Sequence, residues 1–156
     1  MNIFSKLRAV LAGKAEPEHL RRGKLGEQAA RAYLERQGLK FLVANFRSER
    51  GEIDLIFLEK GRKSSETVFT GNGTDCLAFV EVKTRAPGGW TRPAAAVNAR
   101  KRRLLSQTAL DYLAAIHNPR VKIRFDIIEV LMTGDVVTEL RHLPNTFPMA
   151  RPYRYG

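Results

Sequence analysis

The chain has 156 residues, of which 44% are hydrophobic, and this length suits one globular domain better than two. Its 27 lysines and arginines exceed its 16 acidic residues, and the resulting net charge of +11 favours a polyanionic partner such as nucleic acid. The single cysteine, Cys76, excludes an intramolecular disulfide and a cysteine-rich zinc site. The sequence carries no signal-peptide core and no apolar stretch of about 20 residues, so we expect a cytoplasmic protein without a membrane partner.

The beginning of the chain predicts an arm or a short helix, followed by a clearer helix. Residues 1–20 carry apolar side chains at helical spacing and then Pro17, so they form either a short amphipathic helix or a loose arm. Residues 23–37 carry an apolar stripe that ends at Gly38, a residue favoured just beyond a helix. We therefore expect a helix over 23–37, with Glu27 in its first turns.

The middle of the chain predicts three strands. Residues 41–46 and 53–58 are rich in apolar and aromatic side chains and are separated by a polar turn, a pattern typical of a β-hairpin. Residues 60–75 are polar and aperiodic and predict a surface loop. A third strand follows over 77–84.

The last part of the chain predicts the longest helix and one or two strands. Apolar residues recur at helical spacing over 94–116, and residues 121–132 alternate as a strand. A further strand over 136–142 precedes an irregular tail, 144–156. The sequence therefore predicts a single α/β domain over residues 21–143, in which two helices flank a mixed central sheet, with an acidic site at one edge of that sheet.

Two acids and one lysine lie on the predicted strands with a spacing that suits chemistry. Glu81 and Lys83 share a face because side chains two apart on a strand point the same way. If the strands over 53–58 and 77–84 are neighbours, Asp54 lies across from Glu81, and the two carboxylates repel each other unless a cation lies between them. Mg²⁺, or Mn²⁺ in its place, suits such oxygen ligands and keeps positions for water and a phosphate oxygen. The pattern predicts phosphodiester hydrolysis, with Lys83 orienting or deprotonating water or offsetting charge in the transition state.

Simpler interpretations remain open for each of these residues. Glu81 and Lys83 are also typical of an exposed ion pair on a strand, and Asp54 of a turn cap. Glu27 suits the positive end of a helix dipole. His19, His117 and His142 lack a mutual spacing suited to zinc.

A cluster of basic residues follows the predicted site along the chain. Such side chains can hold the phosphates that flank a scissile bond, or they can form an ordinary solvated helix face. Trp90 can likewise stack on an exposed base or cover the edge of the domain. The cluster consists of Arg85, Arg92, Arg100, Lys101, Arg102 and Arg103.

Three motifs resemble a known family when they are taken in order. Residues 26–30 (GEQAA), 51–56 (GEIDLI) and 79–85 (FVEVKTR) resemble the YraN-like family of small bacterial proteins. That family is similar to the archaeal Holliday-junction resolvases of the restriction-endonuclease-like superfamily. The resemblance implies a restriction-endonuclease-like core, Asp54 and Glu81 as metal ligands, Lys83 as the catalytic lysine and Glu27 as an additional acid at the metal.

The resemblance also implies a function. We expect a Mg²⁺-dependent endonuclease that acts on branched or structured DNA, and a homodimer is attractive because junction resolution uses paired active sites. The alternative is a non-catalytic nucleic-acid-binding module with a degenerate nuclease site. A protein that binds an acidic protein partner is a third interpretation.

Overall fold

The computed structural model describes residues 16–61, 74–88 and 97–156. Within them the element order is one helix, three strands, a second helix and two strands. The elements are α1 (Glu18–Arg36), β1 (Lys40–Ser48), β2 (Gly51–Glu59), β3 (Cys76–Arg85), α2 (Ala99–Ala115), β4 (Lys122–Thr133) and β5 (Val136–Phe147).

The strands form one five-stranded mixed sheet in the order β1-β2-β3-β4-β5. Antiparallel pairing joins β1 to β2, β2 to β3 and β4 to β5, whereas β3 and β4 are parallel. A parallel pair requires a crossover connection, and α2 lies in that connection. The predicted α/β fold is therefore confirmed, and its mixed sheet with two helices is compatible with a restriction-endonuclease-like core.

The two helices cover opposite faces of the sheet. Ala30 and Leu34 of α1 pack into one buried cluster, with apolar residues of β2, β3 and β4. Leu105, Ala109 and Leu113 of α2 pack into a second cluster on the other face. Because both faces are covered, the inner strands are apolar almost throughout, and each fully buried aliphatic or aromatic side chain contributes about 1.5–3 kcal/mol.

Helix α1 begins earlier than the apolar stripe indicates. It starts at Glu18, inside the segment 1–20 for which the sequence leaves an arm and a short helix open, and not at residue 23. Pro17 immediately precedes the helix, and its carbonyl oxygen accepts hydrogen bonds from the amides of Leu20 and Arg21. A proline at a helix start loses no hydrogen bond, because the first amides of a helix have no intrahelical partner. Residues 1–15 lie outside the described ranges.

Two other predicted boundaries also move. Helix α2 begins at Ala99, later than the predicted start at 94, because Asn98 caps it: the Asn98 side chain accepts a hydrogen bond from the Lys101 amide at 2.9 Å. Strand β5 continues to Phe147, into the predicted irregular tail. Phe147 stacks on Phe125 with ring centroids 5.0 Å apart, which ties the end of β5 to the core. Neither described helix is long and apolar enough to cross a membrane.

Candidate active site

The predicted carboxylates lie where β2 and β3 stop pairing regularly. The last backbone pair is Leu55 with Val80, so Asp54 and Glu81 occupy the next opposing positions. Here the Oδ2 atom of Asp54 accepts a hydrogen bond from the amide of Val82 at 2.7 Å, which satisfies a backbone donor on β3. Both strands are inner strands, so the expectation of a site at one edge of the sheet is wrong.

Strand β2 changes its facing at Asp54. Leu55 belongs to the cluster under α1, whereas Ile53, two residues away, belongs to the cluster under α2. On β1, Asn45 lies opposite Asp54, and it has a left-handed φ of 52°. Asparagine tolerates this conformation better than most residues, and one such residue interrupts the alternation of side chains along a strand. This break in the alternation leaves the Asp54 carboxylate directed towards β3.

Glu81 is held by two lysines from different elements. It is only 4% exposed, and its Oε1 atom lies 2.9 Å from Nζ of Lys83 and 3.2 Å from Nζ of Lys101. Within the described ranges, its buried Oε2 atom has no hydrogen-bond partner. The sequence pairs Glu81 with Lys83 correctly, but it places Lys101 among phosphate-binding residues and misses its contact with Glu81.

Glu27 reaches the site because α1 lies very close to β3. A Cβ atom at Gly26 would lie 2.1 Å from Oγ1 of Thr84, so only glycine permits this approach. The Glu27 side chain accepts a hydrogen bond from Nδ2 of Asn45 at 3.3 Å. Asn45, which lies opposite Asp54, therefore links Glu27 of α1 to the sheet next to Asp54.

The crowding of the acids raises two pKa values. Burial, and next the charge of Glu81, raise the pKa of Asp54 from 3.8 to about 7, against the opposing effect of the Val82 amide. Burial also raises the pKa of Glu27, although the Asn45 hydrogen bond works against it. Charging Asp54 is therefore costly near neutral pH unless a cation compensates it.

The donor set fits a hard divalent cation in its chemistry. Asp54, Glu81 and Glu27 offer only oxygen ligands, and the Oε2 atom of Glu81 is a buried acceptor without a donor among the described residues. The arrangement is not a finished metal centre, because no three acidic, histidine or cysteine side chains in residues 16–61, 74–88 and 97–156 are close enough to hold an ion as they stand. Lys83 and Lys101 provide the positive charge at Glu81 that a metal ion would otherwise provide.

A cavity of about 340 Å³ opens beside the acids. Its α1 wall includes His19, Gly23 and Glu27, which are four residues apart and therefore share one helix face. The apolar stripe of the sequence begins only at residue 23, so it gives no sign that His19 lies on this helix face. The full lining is His19, Arg22, Gly23, Glu27, Asp54, Glu81, Val82, Thr84, Arg85 and Ala86.

The predicted phosphate-binding residues divide into separate groups. Arg85 lines the cavity, and its Nε lies 3.6 Å from Oε1 of Glu129, a fully buried carboxylate that Arg141 also contacts, at 2.9 Å. Arg100 and Arg103 are exposed near the start of α2. Arg102, which is also on α2, donates a hydrogen bond to the Val97 carbonyl at 2.9 Å. Trp90 and Arg92 lie outside the described residues.

The chain matches an established family and many of its members. A model of the family described as Uncharacterised protein family UPF0102 matches residues 26–130, which include all four acid and lysine positions of the predicted catalytic site. A UPF0102 protein of Trichlorobacter lovleyi is 38% identical over 128 residues, which cover 82% of this chain and 91% of the relative. A UPF0102 protein of Pelobacter propionicus is 33% identical over 136 residues, which cover 87% of this chain and 89% of the relative. A UPF0102 protein of Geobacter metallireducens is 36% identical over 128 residues, which cover 82% of this chain and 93% of the relative. On these grounds the chain belongs to the family UPF0102, the YraN-like family that its motifs resemble.

Proposed function

We propose that this protein is a metal-dependent endonuclease that hydrolyses phosphodiester bonds in branched or structured DNA. The observation that carries the proposal is the convergence of Asp54 and Glu81 at the point where β2 and β3 separate, with Lys83 2.9 Å from Glu81. A buried acid next to a half-buried one, with an amine beside them, suits hydrolysis at a phosphate better than it suits stability, because bringing like charges together out of water is unfavourable.

Asp54 and Glu81 would hold Mg²⁺ or Mn²⁺, with Glu27 as a further oxygen ligand. When bound, the ion supplies Lewis acidity towards a phosphate oxygen and lowers the pKa of a bound water. The protein's own contribution is to position groups: Lys83 holds a positive charge at the acids, and the Val82 amide orients the Asp54 carboxylate. Arg85, on the cavity wall, provides a cation for the substrate backbone.

The choice of DNA rests on charge and on the exposed arginines of α2. A net charge of +11 attracts a polyanion, and Arg100 and Arg103 are exposed on the helix that also carries Lys101 to the acids. Contacts of this kind position a nucleic acid without reading its sequence. They therefore suit an enzyme that recognises the shape of its substrate.

A non-catalytic nucleic-acid-binding module is the second candidate, and a specific observation favours it. Oε1 of Glu81 already contacts two ammonium groups, and the described acids do not form a finished three-ligand site. A protein that binds DNA through this basic surface and never cleaves it would keep the same structure.

Cleavage assays separate the two candidates. Four-way junctions, flaps and linear duplexes of matched length are incubated with the full chain in Mg²⁺, in Mn²⁺ and in EDTA. We expect nicking only with a divalent cation and only on the branched substrates. Asp54→Asn, Glu81→Gln and Lys83→Met should each lower the cleavage rate at least about 100-fold, because each removes a group held at the reacting phosphate.

The matched control is Glu35→Gln. It makes the same carboxylate-to-amide change on α1, at an exposed ion pair with Arg31 away from the cavity, and should cleave like the wild type. Equal cleavage by all three site variants and the wild type would overturn the enzymatic proposal. Tight binding of junctions with no cleavage under any cation would support the binding module.

A further inference from the structure

The contact between Lys101 and Glu81 links α2 to the acids in a way that the family motifs do not assign. Lys101 comes from the first turn of α2, and its Nζ lies 3.2 Å from Oε1 of Glu81. The Asn98 side chain fixes the backbone of that turn by accepting a hydrogen bond from the Lys101 amide at 2.9 Å. The Lys101 backbone is therefore held in place, and any movement of this residue is confined to its long side chain.

The contact adds a second positive charge at a buried carboxylate that Lys83 already contacts. Glu81 is 4% exposed, and an isolated buried carboxylate is strongly unfavourable. Lys83 provides one ammonium from the same strand, two residues away, so its side chain lies on the same face of the sheet as Glu81. Lys101 provides the second ammonium from another element, at a longer distance and with a side chain that is 38% exposed.

We propose that Lys101 is an exchangeable counter-ion of Glu81 that competes with a divalent cation for this carboxylate. The inference rests on the proposed function, because it takes Asp54 and Glu81 as the metal ligands. When no metal ion is bound, Lys101 neutralises Glu81. When the ion binds, the Lys101 ammonium leaves the carboxylate, because a divalent cation added to the two ammonium groups already at Glu81 brings a like-charge repulsion that this carboxylate alone does not offset.

The displaced amine has an obvious anionic partner. Arg100 and Arg103 are exposed near the start of α2, the same end of the helix that carries Lys101, so we expect phosphate binding at that end. Loading of the metal would thus add one cation to the surface that holds DNA. Lys101 is a positioning residue in this scheme, since it acts on the ligands and not on the reacting atoms.

The test measures Mn²⁺ binding to the full chain without DNA, by isothermal titration calorimetry and by the electron paramagnetic resonance signal of free Mn²⁺. We expect Lys101→Met to bind Mn²⁺ about three- to tenfold more tightly than the wild type, because it removes the competing charge. Lys101→Arg keeps that charge and should bind within about twofold of the wild type. Arg103→Met removes one charge from the same helix without a contact to Glu81 and should also stay within about twofold.

Stability provides a second readout that a merely structural lysine would not reproduce. In EDTA, Lys101→Met should unfold at a lower urea concentration than the wild type, and saturating Mn²⁺ should narrow that difference, because tighter binding adds stability to the variant. The inference is overturned if Lys101→Met binds Mn²⁺ as tightly as the wild type or more weakly, and if Mn²⁺ leaves the stability difference unchanged. In that case the proposed function still stands, provided that the wild type binds Mn²⁺. If Asp54→Asn and Glu81→Gln bind Mn²⁺ as the wild type does, the proposed metal site itself is wrong, and the inference fails with it.

Discussion

The Oδ2 atom of Asp54 accepts a hydrogen bond from the amide of Val82 at 2.7 Å, so one candidate ligand also completes the backbone pairing of β3. The same carboxylate has a pKa raised to about 7 by burial and by the charge of Glu81. Asp54 thus has two opposing effects on the folded chain: its hydrogen bond stabilises the structure, and its charge destabilises it.

The first prediction concerns the pH dependence of stability without metal. The folded chain holds the Asp54 proton more tightly than the unfolded chain, so protonated Asp54 contributes to the free energy of unfolding. This contribution is fully present below about pH 4 and is lost as pH rises through about 7. Asp54→Asn keeps an acceptor for Val82 and removes the charge. We expect the free energy of unfolding of Asp54→Asn, relative to that of the wild type, to rise by roughly 1–3 kcal/mol as the pH is raised from 4.5 to 8.5. Urea unfolding in EDTA measures this gain, and a difference independent of pH would contradict the assignment.

The second prediction concerns the close approach of α1 to β3. A Cβ at Gly26 meets Oγ1 of Thr84 at 2.1 Å, so Gly26→Ala should lower the free energy of unfolding by about 1–3 kcal/mol. Gly23→Ala is the matched control, since among the described residues no atom beyond its own neighbours and helix backbone lies within 4 Å of a Cβ placed there, and it should be neutral or stabilising by up to about 1 kcal/mol. Adding Thr84→Ala to Gly26→Ala should recover most of the loss in a double-mutant cycle. Additive losses would exclude this contact as the cause.

The third prediction concerns Glu129, which is fully buried between Arg85 and Arg141. Glu129→Gln leaves both guanidinium groups without their carboxylate, and we expect a loss of about 2–4 kcal/mol in chemical unfolding. Glu139→Gln makes the same change at an exposed position of β5 and should cost less than about 0.5 kcal/mol. Similar stabilities for the two variants would show that Glu129 is not needed to hold the arginines.

The fourth prediction concerns the exposed arginines of α2. Arg100→Ala combined with Arg103→Ala should weaken binding of duplex DNA and lower the slope of log K against log salt concentration by about 0.9 for each phosphate that the variant no longer neutralises. Arg36→Ala combined with Arg120→Ala removes two exposed charges, one at the C-terminal end of α1 and one in the segment between α2 and β4, and should leave that slope nearly unchanged. Fluorescence anisotropy at several salt concentrations provides the measurement, and equal slopes for both double variants would refute a directed DNA surface.

Much of the fold and part of the site could be predicted from local patterns. Alternation along a strand fixes the shared face of Glu81 and Lys83, and the hairpin signals of β1 and β2 correctly give an antiparallel pair. These features depend on residues within a few positions of one another, so the sequence records them directly.

The features that were missed depend on contacts between distant segments. The proximity of Lys101 to Glu81 arises from the packing of α2 on the sheet, which no spacing along the chain encodes. The left-handed Asn45 on β1 and the change of facing at Asp54 on β2 both break the regular pattern of a strand, and strict alternation cannot predict either. The place of His19 on the cavity wall could have been found, because Pro17 marks the helix start and His19 lies two turns before Glu27.

The opposite placement of the two helices has a consequence for biosynthesis. Glu27 is carried by the helix on one side of the sheet and Lys101 by the helix on the other, with Asp54 and Glu81 on the strands between them. A nascent polypeptide still emerging from the ribosome lacks at least one of these side chains until α2 has been released. The acids therefore meet their full set of neighbours only after translation has passed α2, and a truncated product that ends before Ala99 cannot assemble the site.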